Sequence, residues 1–242
     1  MRGVRALLIG GLVAASVLVV TMPVAGADTK GTLAVVNGYP GKKVDVCLNG
    51  KEIKSGLAYG KVVLKDVVGT GDKSLMFYQR DARTCRGTLL GRRSFPLPAG
   101  EDLTLVLTKF GGPKVIQFSN TSPLFLWEIP PEGASFPGTG VAVRNGSDLA
   151  VNFRTIIFSP GGETAITPTA DPVFQEGQQT VVDEFDPGLI LDLRARLPES
   201  PSTLARVRFE TFAGFRQEYI LVGSSAANAS FVAIKRAVSF PS

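Results

Sequence analysis

Apolar and polar residues alternate along most of this chain with a period of two, the spacing that indicates a half-buried β-strand. In the segment 44–49 (VDVCLN), the three apolar residues share one face and Cys47 lies on the other. The dipeptide Asn49-Gly50 is the strongest short signal for a hairpin, because both residues tolerate a positive φ. We therefore predict a hairpin across residues 44–53, with Cys47 on the face that points away from the core.

The same alternation predicts short strands in both halves of the chain. In the first half they are 61–67, 73–79, 87–95, 102–109 and 114–119, and in the second half 141–145, 151–159, 178–185, 189–197, 205–212, 217–222 and 230–236. No segment shows a convincing helical period. About seven short strands per half, separated by turns, are typical of an antiparallel Greek-key β-sandwich of immunoglobulin-like type. The sequence therefore predicts an all-β protein.

The two halves also resemble each other, since four strand-like segments recur in the same order. The paired segments are 34–38 with 142–146, 60–67 with 177–184, 103–107 with 219–223, and 115–118 with 231–234. A repeat period of about 110 residues is too long for a solenoid, whose units are about 20 to 50 residues. We therefore predict two tandem β-sandwich domains.

The domain boundaries follow from the repeat and from the composition. We assign residues 28–119 to the first domain and 139–242 to the second. Residues 120–138 form a linker, because proline and glycine are too dense there for a continuous strand. Trp127 lies in an apolar run within the linker, which favours a packing role over sugar stacking.

The first 27 residues have the pattern of a secretory signal peptide. Arg2 and Arg5 precede an apolar run, and Ala25-Gly26-Ala27 is a small-residue cleavage motif. A retained membrane anchor is the alternative, but the run is shorter than the ~20 apolar residues that a spanning helix needs. We expect an exported chain that starts at Asp28, is secreted or associated with the cell envelope, and is not an integral membrane protein.

Charge is distributed unevenly along the expected mature chain. Without Arg2 and Arg5 the formal charge falls from +5 to +3, because 24 basic residues remain against 21 acidic ones. Residues 28–119 carry 15 basic and 8 acidic side chains, whereas residues 120–242 carry 9 and 13. The excess of positive charge in the first half could favour an anionic partner, although a solvated surface is the plainer interpretation.

The candidate binding residues are basic side chains, most of which lie near the two cysteines in the first half. They are Lys42, Lys43, Arg80, Arg83, Arg86, Arg92 and Arg93. Arginine can hold a carboxylate or phosphate through two hydrogen bonds. We therefore predict an anionic cell-envelope polymer or a surface protein as the partner. Nucleic acid is not expected, because the chain is exported and lacks aromatic residues interleaved with the basic ones.

Cys47 and Cys85 are the two cysteines of the chain, and an exported protein meets an oxidising environment. The simplest prediction is a disulfide between them. The sequence contains no histidine that could complete a metal site with these thiols. The acidic cluster at 183–186 lacks the spaced ligand loop of a dedicated calcium site. We predict no metal and no cofactor.

The absence of histidine also removes the Ser-His-Asp and Cys-His arrangements of hydrolases. No phosphate-binding loop, nucleophile elbow or dinucleotide fingerprint is present. We therefore favour a non-enzymatic binding or structural module. Two alternatives stay open: a carboxylate-dependent glycan hydrolase with its site between the domains, and a protein–protein interaction module that adds strands at a sheet edge.

Two motifs, VDVCLNG at 44–50 and GLAYG at 56–60, resemble a family of secreted bacterial β-sandwich proteins known as domain of unknown function 4397. Asn37 stands where that family often has histidine, and Cys47 where it often has an aromatic residue. The second half keeps the strand rhythm without the signature. The resemblance implies an exported β-sandwich with no known catalytic residues. Tyr59 recurs in the family, but a tyrosine between glycines is also a common packing residue.

Overall fold

The computed structural model describes residues 30–69, 71–80, 85–109, 111–120, 139–159, 162–166, 172–185, 187–212 and 215–237. Apart from one 3-10 turn, Ala226–Asn228, the regular secondary structure of these residues is all β-strand. The predicted signal peptide, Arg83 and the linker beyond Asn120, with Trp127, lie outside the described residues. No helix within the described ranges is long and apolar enough to cross a membrane.

The first domain is a sandwich of two four-stranded sheets. Its strands are β1 Lys30–Asn37, β2 Val44–Leu48, β3 Lys51–Leu57, β4 Val62–Val68, β5 Asp72–Gln79, β6 Leu89–Pro96, β7 Asp102–Thr108 and β8 Lys114–Ser119. The strand orders are β4-β1-β7-β8 and β3-β2-β5-β6. The core between the sheets is formed by inward-facing residues of both, such as Val35, Leu105 and Phe77.

The second domain has the same plan with one short strand added. Its strands are β9 Thr139–Asn145, β10 Val151–Ser159, β11 Gly162–Ile166, β12 Val173–Phe174, β13 Gln179–Phe185, β14 Ile190–Arg196, β15 Thr203–Glu210, β16 Phe215–Val222 and β17 Ser230–Ala237. The sheets are β13-β9-β16-β17 and β11-β10-β14-β15, and β12 pairs with β10. The predicted fold of two tandem β-sandwiches is confirmed.

Three details differ from the prediction. In each domain one strand pair is parallel, β1 with β7 and β9 with β16, whereas all the other described pairs are antiparallel. Strands β11 and β12 were not predicted, because they are short and lack a clear alternation. The strand register aligns 103–107 with 217–221 rather than with 219–223, since Asn37 pairs with Leu107 and Asn145 with Leu221. A slip of two residues keeps every side chain on its face, so alternation could not detect the error.

The repeated asparagine of the two halves has one structural role. Asn37 Nδ2 donates to the carbonyls of Lys42 and Leu57 at 2.8 and 2.9 Å. Asn145 Nδ2 donates in the same way to two carbonyls, those of Leu149 and Phe174, at 2.6 and 2.9 Å. Buried carbonyl groups need such partners. The motif N-G therefore recurs because each domain uses its asparagine to join β-strand and loop backbones.

The hairpin and the disulfide of the first domain form as predicted. Asn49 and Gly50 both have positive φ, 51° and 76°. Cys47 is bonded to Cys85 with a Cα–Cα distance of 5.9 Å. Cys47 lies on the face of β2 opposite Val46, as alternation requires, but it is fully buried on that face. The outer face of the sheet is therefore closed at the disulfide.

The two domains pack against each other through their sheets that contain the parallel pairs. A third apolar cluster lies between these sheets, and it is formed by Ala34, Val36, Val106 and Phe118 of the first domain and Ile220, Val222, Val232 and Ile234 of the second. Strands β1, β7 and β16 are thus buried on both faces, which explains their continuous apolar character. The four sheets form one stack, with β3-β2-β5-β6 and β11-β10-β14-β15 on the outside.

The contacts between the domains are approximately two-fold symmetric. The Tyr59 hydroxyl donates to the Asn228 carbonyl and accepts a hydrogen bond from Ser230 Oγ at 3.5 Å. Tyr59 and Glu176 occupy equivalent positions in the two domains, as do Ser230 and Lys114, and Glu176 pairs with Lys114. Such reciprocal contacts are those of an isologous interface. Tyr59 is therefore a domain-interface residue, and its burial there raises its pKa.

Candidate anion-binding face

The basic residues of the second half are eight arginines and one lysine, and the arginines lie in only two places. Three of them, Arg144, Arg216 and Arg236, lie between the domains. The other five lie on the outer face of β10, β14 and β15, which we call the arginine face: Arg154, Arg194, Arg196, Arg206 and Arg208. The acidic residues that these three strands place on the same face are Asp192 and Glu210.

Strand alternation and register build this face. In β14 the alternate residues Leu191, Leu193 and Ala195 enter the core of the second domain. The residues between them therefore point outward. Arg194 lies directly opposite Arg154 on one neighbouring strand and Arg206 on the other. Three arginines thus form a row across three adjacent strands.

Asp192 holds two of these arginines in fixed positions. Its carboxylate accepts from Arg194 Nε and Nη2 at 3.2 and 2.7 Å, and from Arg206 Nε and Nη2 at 2.8 and 2.6 Å. Burial alone would raise the pKa of Asp192, but the hydrogen bonds and charges of the two arginines outweigh it and lower the pKa. The carboxylate is fully covered, whereas 53% of the Arg206 side chain stays exposed.

The remaining arginines of the face are held less completely. The Nε atoms of Arg154 and Arg196 are buried and have no hydrogen-bond partner. Neither guanidinium forms an ion pair with any residue in the described ranges. The guanidinium of Arg208 lies over the ring of Phe158, 4.3 Å from its centroid. This face can therefore offer guanidinium groups to planar anions from solvent.

The predicted basic residues of the first domain are brought together only in part. Lys42 Nζ donates to Gln79 at 3.2 Å, and the backbone of Arg80 bonds to that of Lys43 at 3.1 Å. These basic residues therefore share one end of the outer sheet. The Arg80 side chain crosses Gly56, where a Cβ would lie 2.0 Å from Arg80 Nη1.

The other predicted basic residues are more dispersed. Arg92 lies on the outer face and its Nε donates to Ser74 Oγ at 3.3 Å. Its neighbour Arg93 points to the opposite face and donates to Gln117 of the other sheet at 3.4 Å. Arg86 is exposed beside the disulfide. The first domain therefore does not gather the predicted residues on one face.

A buried charge cluster lies between the domains. Glu218 is within 3.1 to 3.3 Å of Arg144, Arg216 and Arg236. Asp102 pairs with Arg216 and Arg236. Burial, partly opposed by the charge of Glu218, lowers the pKa of Arg144 to about 10. These two carboxylates are therefore occupied by arginines, and the cluster links the domains.

The arginine face was missed at the sequence level although its signal is present. The segments LDLRAR at 191–196 and LARVRF at 204–209 place arginine at alternate positions of predicted strands. The net negative charge of the second half conceals this pattern, because a sum over the whole half does not show which side chains share one face of a strand. Summing the charge separately over the odd and the even positions of each predicted strand reveals the arginine face.

Comparisons with known proteins leave the function open. No protein-family model matches the chain, and no curated protein matches it. Among solved structures, it is similar to the TIE protein of Bacillus anthracis, with 11% identity and a TM-score of 0.26 over 84% of this chain. The chain spans only 34% of that protein.

Two further similar structures are each named a "putative cell adhesion protein". The protein from Bacteroides uniformis has 10% identity and a TM-score of 0.27, covering 87% of this chain and 99% of that one. The protein from Bacteroides eggerthii has 7% identity and a TM-score of 0.24, covering 88% and 96%. At these values the similarity does not extend to function.

Proposed function

We propose that the protein is an exported, non-enzymatic module that binds an anionic polymer of the cell envelope through the arginine face. The observation that supports this most directly is the row formed by Arg154, Arg194 and Arg206 on three adjacent strands. The disulfide is typical of proteins in an oxidising compartment, which supports export. Membership of the family of domain of unknown function 4397 belongs to the same proposal.

The row is costly for folding, and this cost argues for a role in binding. Like charges directly opposite each other on neighbouring strands are destabilising. Asp192 offsets the repulsion between Arg194 and Arg206, but Arg154 has no such counter-ion among the described residues. An anionic ligand would supply the missing negative charge. Since Asp192 already fixes two of the guanidiniums, less side-chain freedom is lost on binding.

The arginine face suits a chain of anions better than nucleic acid. Single-stranded nucleic acid is usually bound by aromatic rings that stack on the bases. Phe158 is an aromatic residue of the face, and Arg208 covers its ring. We therefore retain a cell-envelope polymer as the partner.

The hydrolase alternative finds little support between the domains. A glycosidase needs two carboxyl groups on either side of the scissile bond. Glu218 is fully buried and faces three arginines, and Asp102 pairs with two of the same arginines. Neither carboxylate is therefore free to face a scissile bond. We favour binding over hydrolysis for this reason.

The test is salt-dependent retention on isolated cell envelopes of the producing organism. Wild type should be retained at low salt and released as salt rises. The variant Arg154→Gln/Arg196→Gln should lose retention by roughly tenfold or more, since a hydrogen bond to a charged group contributes about 1.5–3 kcal/mol. The matched control is Arg92→Gln/Arg93→Gln, which removes the same charge from the first domain and should bind like wild type.

Two results would contradict the proposal. If wild type is not retained at any salt concentration, the protein does not bind an envelope polymer. If the control variant loses retention and the Arg154/Arg196 variant keeps it, the site lies on the basic residues of the first domain.

A further inference from the structure

We propose that Arg154 and Arg196 form a socket for one carboxylate, and that the polymer is an acidic polysaccharide with a carboxylate on its sugar units. This inference rests on the proposed function and specifies its ligand. Arg154 lies opposite Arg194, and Asn152 lies opposite Arg196, so the two arginines are diagonal neighbours on β10 and β14. Long side chains can meet across such a diagonal.

Both arginines of this socket have unused donors. Their Nε atoms are buried without a hydrogen-bond partner, and their side chains are only half-buried overall. A buried donor without a partner costs free energy. Native proteins rarely leave such groups unpaired unless they serve another role. Because the Nε atoms are covered, an external carboxylate would accept from the terminal nitrogens of the two half-buried side chains.

The same face already contains a carboxylate that two arginines share. Asp192 lies opposite Arg208, so Arg206 is its diagonal neighbour across β14 and β15. Its carboxylate accepts from this diagonal arginine and from Arg194, two residues along its own strand. On the other side of β14, Arg154 is the diagonal neighbour of Arg196, which is itself two residues from Arg194. The internal ion pairs show that two arginines of this face, Arg194 and Arg206, can share one carboxylate.

The donors of the socket favour a carboxylate over a phosphate. A guanidinium fork matches the two coplanar oxygens of a carboxylate, and it also binds phosphate. Phosphate, however, has further oxygens that usually take lysine or backbone N–H groups. The cations that β10, β14 and β15 place on this face are all arginines, and β14 is paired on both sides. The arginine face therefore offers guanidinium groups to a ligand, and all of them approach the ligand from the same side.

The spacing of the row favours a polysaccharide over an acidic polypeptide. Neighbouring strands lie about 4.7–4.9 Å apart, so the backbone positions of the three arginines in the row repeat at that interval. A pyranose unit spans a similar length. In an extended polypeptide, side chains on one face recur about every 6.6–6.8 Å, which falls out of step with the row. A uronate polymer laid across the strands keeps the better register.

The experiment measures binding of the full secreted protein to four polymers by titration calorimetry at low salt. They are polygalacturonate, its methyl ester, polyglutamate and polyphosphate. We expect the tightest binding to polygalacturonate and none to the uncharged ester. Arg154→Lys/Arg196→Lys keeps both charges but removes the forks, and should weaken binding at least about tenfold. Arg92→Lys/Arg93→Lys is the matched control and should leave binding unchanged.

Each other outcome has a distinct meaning. Equal or tighter binding to polyphosphate overturns the carboxylate socket but leaves the proposed function intact, and a preference for polyglutamate overturns the polysaccharide. Binding of the lysine variant at wild-type strength shows that the socket is elsewhere. No binding to any polyanion contradicts the proposed function itself. Should the variant fold poorly, a second test uses wild type: polygalacturonate should protect Arg154 and Arg196 from modification by phenylglyoxal. An equal rate of modification with and without the polymer overturns the socket.

Discussion

Removing the charge of Glu218 should destabilise the protein more than any other single change in the interdomain cluster. Three arginines face two carboxylates there, and Glu218 is fully buried. In Glu218→Gln, only Asp102 would oppose the three buried positive charges. Removing one partner of a buried ion pair costs about 3–5 kcal/mol. Because about 1 kcal/mol shifts the Tm of a chain of this size by about 2–4 °C, we expect a fall of roughly 6–20 °C.

The matched variant Arg144→Met should behave in the opposite way. Arg144 is fully buried, and two of its nitrogens, Nε and Nη2, have no partner. Its equivalent in the first domain is Val36, so the same position tolerates an apolar residue. Met would leave two arginines against two carboxylates. Replacing a buried ion by an apolar side chain ranges from neutral to about 1–4 kcal/mol stabilising.

Thermal unfolding followed by circular dichroism and calorimetry distinguishes these outcomes. The measurement should be repeated at high salt, because a buried cluster is screened much less than surface charges. The reasoning is refuted if Arg144→Met loses as much stability as Glu218→Gln, since the excess of positive charge would then not be the controlling feature. It is also refuted if Glu218→Gln unfolds like wild type.

Three further predictions concern single features of the fold. Reduction of the Cys47–Cys85 bond, whose residues are 38 apart, should lower stability by about 3–4 kcal/mol, measured as the Tm difference between oxidised and reduced protein. Because the folded-state pKa of Asp192 is lowered, its stabilisation is complete above about pH 4–5 and is lost as pH falls through that pKa, so the Tm values of wild type and Asp192→Asn should converge in acid. Asn37→Ala and Asn145→Ala should each cost about 1–3 kcal/mol in urea unfolding, and a large effect of only one would contradict their equivalent roles.

The strands and the hairpin were predictable from the sequence because each depends on a local pattern of residues. Period-two alternation sets the strands, and Asn49-Gly50 sets the hairpin. The packing of the domains was not predictable in this way. Ala34 and Val36 read as ordinary strand residues, and nothing local indicates that they contact the other domain rather than solvent. The arginine face was hidden for a different reason, since charge summed over a whole half hides which side chains share a face.

The stacking of the sheets limits where a ligand can bind, and this leads to a test by hydrogen exchange. The two middle sheets are covered on both faces, and Cys47 is buried on the outer face of the first domain. The outer face of the first domain keeps the exposed Arg92, whereas the arginine face gathers five arginines on three adjacent strands. Amides in β16, which is buried on both sides, should exchange more slowly than those in β14, because local opening follows burial and packing.

Addition of polygalacturonate should slow amide exchange in β10, β14 and β15 and leave exchange in β2, β5 and β6 unchanged. Protection confined to the sheet of β2, β5 and β6 would instead place the ligand on the basic residues around the disulfide.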